Sequence, residues 1–406
     1  MRRLAGSLLL VSILAQAADP VRAASGQVPP LYAPDVAEYL SLVSAYRRDS
    51  SGGAVASIRT WDGPRLERTV RELPNQLGGR IRVCDDVPGA VTFTTLDAAV
   101  LLHTDAALAA LREADADEGS LHLDQAQKLL EWTFGRRTRL PNAEQETEAA
   151  RCAAPPPIAI RDWYLVAARL TLAEWALFVS ERLADRLVQA APGDPDALFA
   201  AGNVQEGLAT NDAQYHLPPP AWRFSSNESW VRAQTWYQQS LRDRKRYREA
   251  AGQFYARALK SAPDRDDVRL RHGWVLLQLD RREEAQRALE AVVRSTGARA
   301  TRYLAWLFLG RVHEMSNRLS DAAECYRRAA DAEPDAHVAR LALSHALGRQ
   351  DLLDDSRRAA LRALVPPGLS AERDPWTEYP HGDWRAAEAL LDRLRDRVRE
   401  RTGGAR

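Results

Sequence analysis

The stretch from Tyr303 to Ala336, YLAWLFLGRVHEMSNRLSDAAECYRRAADAEPDA, constrains the fold of this chain more than any other. It holds two runs with apolar residues at helical spacing, joined by the polar turn Ser316-Asn317-Arg318. Each run carries a small residue, Gly310 in the first and Ala322 in the second, and Pro334 closes the unit. Two short helices of this kind bury their apolar stripes only by packing on each other and on neighbours.

Residues Trp306, Leu309, Gly310, Ala322, Tyr326, Ala329 and Pro334 stand at positions 4, 7, 8, 20, 24, 27 and 32 of this stretch. In that pattern it resembles one tetratricopeptide (TPR) repeat, a 34-residue helical hairpin that stacks into a superhelix. The preceding unit from Asp266 has Gly273, Ala285 and Leu289 at positions 8, 20 and 24. Its two small residues let the paired helices approach closely, while Leu289 fills the groove opposite. Further back, Ala251, Tyr255, Ala258 and Pro263 match positions 20, 24, 27 and 32, and the first helix of that unit is expected, degenerate, around 229–243. The unit from His337 keeps an amphipathic pair and loses most signature residues, as a terminal repeat does.

Upstream, Pro192 and Gly202 keep the spacing of position 32 to the next position 8. The segments DVAEYLSLVSAYRR, LDAAVLLHTDAALAAL, LDQAQKLLEWTF and RDWYLVAARLTLAEWALFVSERL show helical spacing. IRVC and AVTFTT are the only short strand candidates. The fold expected is therefore all-α: a TPR-like helical-hairpin superhelix, or α-solenoid, with a degenerate N-terminal helical part and a C-terminal capping helix. Residues 31–154 form the N-terminal helical region, as degenerate repeats or as another helical domain. Residues 158–365 form the repeat array, interrupted by a proline- and aromatic-rich insertion at 207–228, and residues 381–400 form the capping helix. That helix is expected to have Asp383 as N-cap and Trp384, Ala387, Leu391, Leu394 and Val398 on one face.

The N-terminus, residues 1–24, reads as a secretory signal peptide. Arg2 and Arg3 precede the apolar run Leu8–Leu14, which is too short to span a bilayer, and Ala15-Gln16-Ala17 offers a cleavage pattern. No cysteine precedes Cys84, so no lipobox is present. No second run of spanning length is evident, so the mature chain is expected without stable membrane insertion, in a bacterial periplasm or outside the cell. The 56 basic and 55 acidic residues leave a net charge of +1, which gives no reason to expect nucleic acid as a partner. In an exported chain Cys84 and Cys152, both in irregular stretches before prolines, are the candidate disulfide, and Cys325 is a small packing residue.

No nucleophile elbow, P-loop, dinucleotide fingerprint, zinc-protease pair or C-x-x-C occurs. His313-Glu314 begins a zinc-protease pattern, but Asn317 stands where the second histidine belongs. Neither catalysis nor a cofactor nor a metal is therefore expected; the lesser alternative is a helical enzyme whose catalytic residues come from the unassigned first half.

What the TPR resemblance implies is a binding face on the first helix of each hairpin. The corresponding residues here are Leu270, Trp274 and Leu277, then Leu304, Leu307, Arg311, Glu314 and Met315, then Val338, Leu341 and His345. This face is largely apolar and suits an apolar or amphipathic segment of an unidentified protein or peptide partner. Alternatively, the C-terminal helix fills it. The insertion offers a second binding surface in Trp222, Phe224 and Trp230, which could stack on glycan rings or merely close a gap in the array.

Overall fold

The computed structural model describes residues 32–49, 52–78, 80–84, 90–137, 156–210, 226–295, 297–364 and 374–399. The described residues are helical throughout, and their one β feature is an isolated bridge between Arg82 and Thr92. The strand candidate AVTFTT instead opens a helix, where Thr92 and Thr95 form a reciprocal capping box.

Three helices lead the chain: α1 (Pro34–Arg48), α2 (Gly53–Arg59) and α3 (Gly63–Leu77). Hairpins follow. The first pairs α4 (Phe93–Arg112) with α5 (Ala116–Arg137), and the second α6 (Ile160–Ala173) with α7 (Leu177–Ala190). Next come α8 (Pro195–Ala209), α9 (Asn227–Arg242) and α10 (Arg244–Ser261), of which α8 and α10 pair while α9 stands beside them. The remaining hairpins are α11 (Asp266–Gln278) with α12 (Arg282–Arg294), α13 (Arg299–Met315) with α14 (Leu319–Ala332), and α15 (Val338–Gly348) with α16 (Leu353–Leu364). A short α17 (Pro375–Glu378), a 3-10 turn (Tyr379–His381) and α18 (Trp384–Val398) form a C-terminal tail. The architecture is a TPR-like helical superhelix with a capping helix.

Five of the hairpins turn the same way. Ala114, Trp175, Asp280, Asn317 and Asp351 have φ between 56 and 67°. In each turn the next amide donates to a carbonyl five residues back, for instance Arg318 to His313 and Ala176 to Thr171. This is a Schellman stop, which requires one left-handed residue. The continuous segment expected over 161–183 is therefore two helices, broken at Trp175.

Close helix approach at the glycines follows from the facing side chains. A Cβ on Gly310 would lie 2.3 Å from the Tyr326 ring, and one on Gly273 2.8 Å from Leu289. A Cβ on Gly202 would lie 2.4 Å from the ring of Tyr255. The partner helix of α10 is thus α8 and not the segment around 229–243. The Gly–Tyr pair spans 16 positions in α13–α14 and 53 here, because the loop and α9 are inserted between the two helices of one repeat.

Helix α4 is long and apolar enough to cross a membrane, which amends the expectation that no such stretch follows the N-terminus. Yet 89% of that stretch is buried within the chain, as in a core helix. Cys84 is disulfide-bonded and Cys325 is free and buried. Cys152, the N-terminal segment 1–24, and Trp222 and Phe224 of the insertion lie outside the described residues.

Candidate functional site: the concave groove and the cavity left in it

The first helices of the hairpins line a concave face, and the tail runs back along it. It starts at Asp374, which is fully buried. One carboxylate oxygen accepts from the amides of His337 and Val338 at 3.0 Å each, so it sits on the positive end of α15. The other accepts from the Tyr303 hydroxyl at 2.8 Å and the Trp376 amide at 3.0 Å. Burial and the neighbouring Asp374 charge push the Tyr303 phenol up.

Two residues on, Trp376 stacks on Tyr379 and meets Trp274 and Phe308 edge-on. Tyr379 donates its hydroxyl to Glu206 at 2.7 Å. Arg271 donates to the Tyr379 carbonyl at 2.5 Å, with its guanidinium 4.1 Å over the ring, and also to Glu206 at 3.1 Å. Tyr255 donates to the same carboxylate at 2.7 Å. Burial, then the Glu206 charge, drives the Tyr255 and Tyr379 phenols well above their usual range.

Helix α18 then lies against α6 and α4, with Ala387, Leu390, Leu391, Leu394 and Val398 buried and Trp384 half-buried. Asp383 precedes this helix without capping it through its side chain; its carboxylate faces Arg169 at 3.5 Å. Arg395 pairs with Asp105 of α4, and Arg47 of α1 donates to the Val398 carbonyl at 3.0 Å.

The tail does not fill the face completely. A cavity of about 690 Å³ remains, walled by α8, α10, α11, α13 and residues 376–380. Trp175, Trp274 and Trp376 line it, together with Asn203, Arg248 and Gln278. Phe308 covers one face of Trp274, with ring centroids 4.4 Å apart. Arg248 has one long bond, at 3.5 Å to the Ala209 carbonyl, and its Nε is buried without a partner. Burial and the nearby Arg244 charge hold its pKa below the usual arginine value.

The residues expected on the binding face separate into two groups. Leu270, Leu277, Leu304 and Leu307 are buried in the chain's own core. Glu314 is buried too, accepting from Tyr326 at 2.9 Å and pairing with Arg311, His345 and Arg349. Those hydrogen bonds and cations outweigh burial and hold its carboxyl below the usual range. Left exposed are Arg311, Met315, Leu341 and His345, which form a lip; Arg311 and Met315 also border the cavity that Trp274 faces, and Val338 is half-buried. Trp230 is a half-buried residue of α9. His313 is a buried helix residue, and among the described residues no group of side chains is arranged to hold a metal. Reading the sequence did not find Asn203, Glu206 or Arg248. Nothing local marks them, because the tail that completes their site is more than 120 residues away.

No protein-family model matches this chain. No curated protein matches it either. Among solved structures, MamA from Desulfovibrio magneticus RS-1 is similar at 18% identity and a TM-score of 0.36, over 51% of this chain and 94% of that one. PilF of Pseudomonas aeruginosa is similar at 16% identity and a TM-score of 0.38, over 58% and 91%. Human IFIT1, solved as a dimer with m7Gppp-AAAA, is similar at 12% identity and a TM-score of 0.38, over 88% and 76%. Likeness of this extent says nothing of what this chain binds.

Proposed function

We propose that this chain is an exported, non-catalytic interaction scaffold that holds a segment of a partner protein on the lip of its concave face. The observation that supports this reading is that the groove already holds a peptide, its own residues 374–399, as two short helical turns followed by a helix. The lip continues the same surface beyond the tail. Leu341 and Met315 are its exposed apolar points, at 43% and 37% exposure. Arg311, His345 and Arg349 surround the single carboxylate of Glu314, so the rim is basic and favours a partner segment that is amphipathic and acidic.

A photocrosslinking residue at Leu341 or Met315 should capture a discrete partner in native extracts, whereas one at the exposed Arg287 of α12 should not. The captured segment, made as a peptide, should bind the purified chain and lose at least about tenfold in affinity to Leu341→Glu. Equal capture from both faces would reject the reading. Export is part of the same proposal: in a Gram-negative host the chain should reach the periplasm shortened by about 17–24 residues.

A further inference from the structure

The 690 Å³ cavity meets the lip at Arg311 and Met315 and differs from it in its other lining groups. Its carboxylates are already engaged: Glu206 by Arg271, Tyr255 and Tyr379, and Asp280 by Arg282. Among its arginines, Arg271 and Arg311 are paired with Glu206 and Glu314. Arg248 pairs with no carboxylate, and the charge of Arg244 acts against its own. Two further polar groups stand without partners. Asn203, only 1% exposed, meets the Tyr255 hydroxyl at 2.8 Å through one amide atom and leaves the other without a partner, and the buried Oε1 of Gln278 accepts nothing. A half-buried guanidinium without a counter-charge and an unpaired buried amide are costly in a folded chain. Each cost is relieved by a ligand that brings acceptors.

We infer that the cavity is a binding site for a small organic acid that carries a ring, with its carboxylate on Arg248 and Asn203 and its ring against Trp274 and Trp376. One uncompensated cation matches one carboxylate charge. The tryptophans supply flat apolar walls, and Phe308 fixes the plane of Trp274 from behind. Gln278 is left to accept from a hydroxyl or N–H on the ligand. The volume lies within the range of small-molecule sites. Both an acidic sugar and an aromatic acid have this chemistry. The site does not depend on the scaffold reading: Arg311 and Met315 edge both surfaces, but the groups that would hold the acid, Arg248, Asn203, Trp274 and Trp376, are separate from Leu341 and His345 of the lip.

The test is calorimetric titration of the full mature chain with D-glucuronate and indole-3-acetate. Their neutral counterparts, methyl glucoside and indole-3-acetamide, and phenyl phosphate serve as comparisons. At least one of the two acids should bind, and at least about tenfold more tightly than its neutral counterpart and than phenyl phosphate. Which acid binds identifies the source. Arg248→Met should erase the preference for the acid, Arg248→Lys should keep part of it, and Leu341→Glu should leave it unchanged. Thermal melts of the variants separate lost binding from lost folding. Binding of neither acid at up to about 5 mM overturns the site. So does equal binding of acid and neutral counterpart, an unaltered Arg248→Met, or tighter binding of phenyl phosphate.

Discussion

The N-terminal helices and the C-terminal array are built from the same hairpin but solve the burial problem differently. In the array, helices are amphipathic: α12 buries only Ala285, Leu289 and Val292, and α16 only Ala359. In the N-terminal half, some helices are enclosed on nearly every side. Helix α4 buries 17 of its 20 residues, His103, Thr104 and Asp97 among them, and α8 buries 13 of 15. For α4 the added layer is α18, which also packs on α6, whereas α8 is enclosed by α6, α7 and α10. A solenoid helix with one neighbouring layer needs only a stripe of apolar residues, whereas one with layers on both faces needs them all round.

The strongest way to break this comparison is to weaken the added layer. Leu394→Ala in α18, at a position with no exposure, should cost about 2–5 kcal/mol. It should melt the N-terminal half first, leaving protected amides in α11–α14 by hydrogen exchange. Leu364→Ala, at 71% exposure in α16, should stay within about 0.5 kcal/mol. A single shared transition in the Leu394 variant would show that the two halves are one cooperative unit.

Acid should separate the halves next. His103 and His122 meet through their Nδ1 atoms at 2.9 Å, with the Tyr39 hydroxyl on the other side of His103 at 3.0 Å. Arg59, held by Glu113 and Glu118, stands nearby. Burial lowers both imidazoles, His122 to about 4, and neighbouring charges add to it. The folded state thus refuses protons that the unfolded state takes up. The stability this pair contributes is complete above pH 6.5 and is lost as pH falls toward 4, on the order of 3 kcal/mol from His122 alone. His272 and His313 of the array are also lowered by burial, so the array will lose stability in the same direction. Replacing His103 and His122 by Asn and Gln should flatten the acid limb of the N-terminal half and leave that of the array in place. An unchanged acid limb would remove the pair from the account.

Smaller effects test the shared repeat. Gly202→Ala and Gly310→Ala each drive a methyl into a tyrosine ring and should cost about 1–3 kcal/mol alike. Gly273→Ala meets the movable end of Leu289 and should cost less. The least effect is expected from replacing residues 211–242 by a short polar loop, because α9 touches α8 and α10 sparsely. A melting shift beyond about 1 kcal/mol would mean that the insertion is structural and not an addition to one repeat.

The sequence made the array legible because its rules are local. Gly273 and Gly310 recur with Leu289 and Tyr326 at a fixed spacing, and the left-handed turn residues are Asp280, Asn317 and Asp351, types that tolerate that backbone. The same turns in the N-terminal half use Ala114 and Trp175, which advertise nothing. Enclosure also weakens the polar face: α4 shows helical spacing in the sequence but no repeat signature, and α8 only the Pro192–Gly202 spacing. The apolar face of α18 was visible, and so was the choice between a partner and the chain's own helix as occupant. Which part of the tail lies where was not visible. Asp374 reaches Tyr303, Tyr379 reaches Glu206, and Val398 reaches Arg47, separations that no window of sequence spans. The split of one repeat by α9 hid Gly202 from Tyr255 for the same reason.

The contact between Arg47 and the Val398 carbonyl joins positions 351 residues apart, near opposite ends of the described chain. During synthesis the N-terminal helices emerge first yet lack the layer that closes their core until nearly the whole chain has been made. The array, whose contacts are local, can complete itself earlier. Order of folding therefore runs against order of synthesis, and the first half is held open until the last helix arrives. On the export route proposed above, such a delay would keep the leading half loose while the rest is still being made.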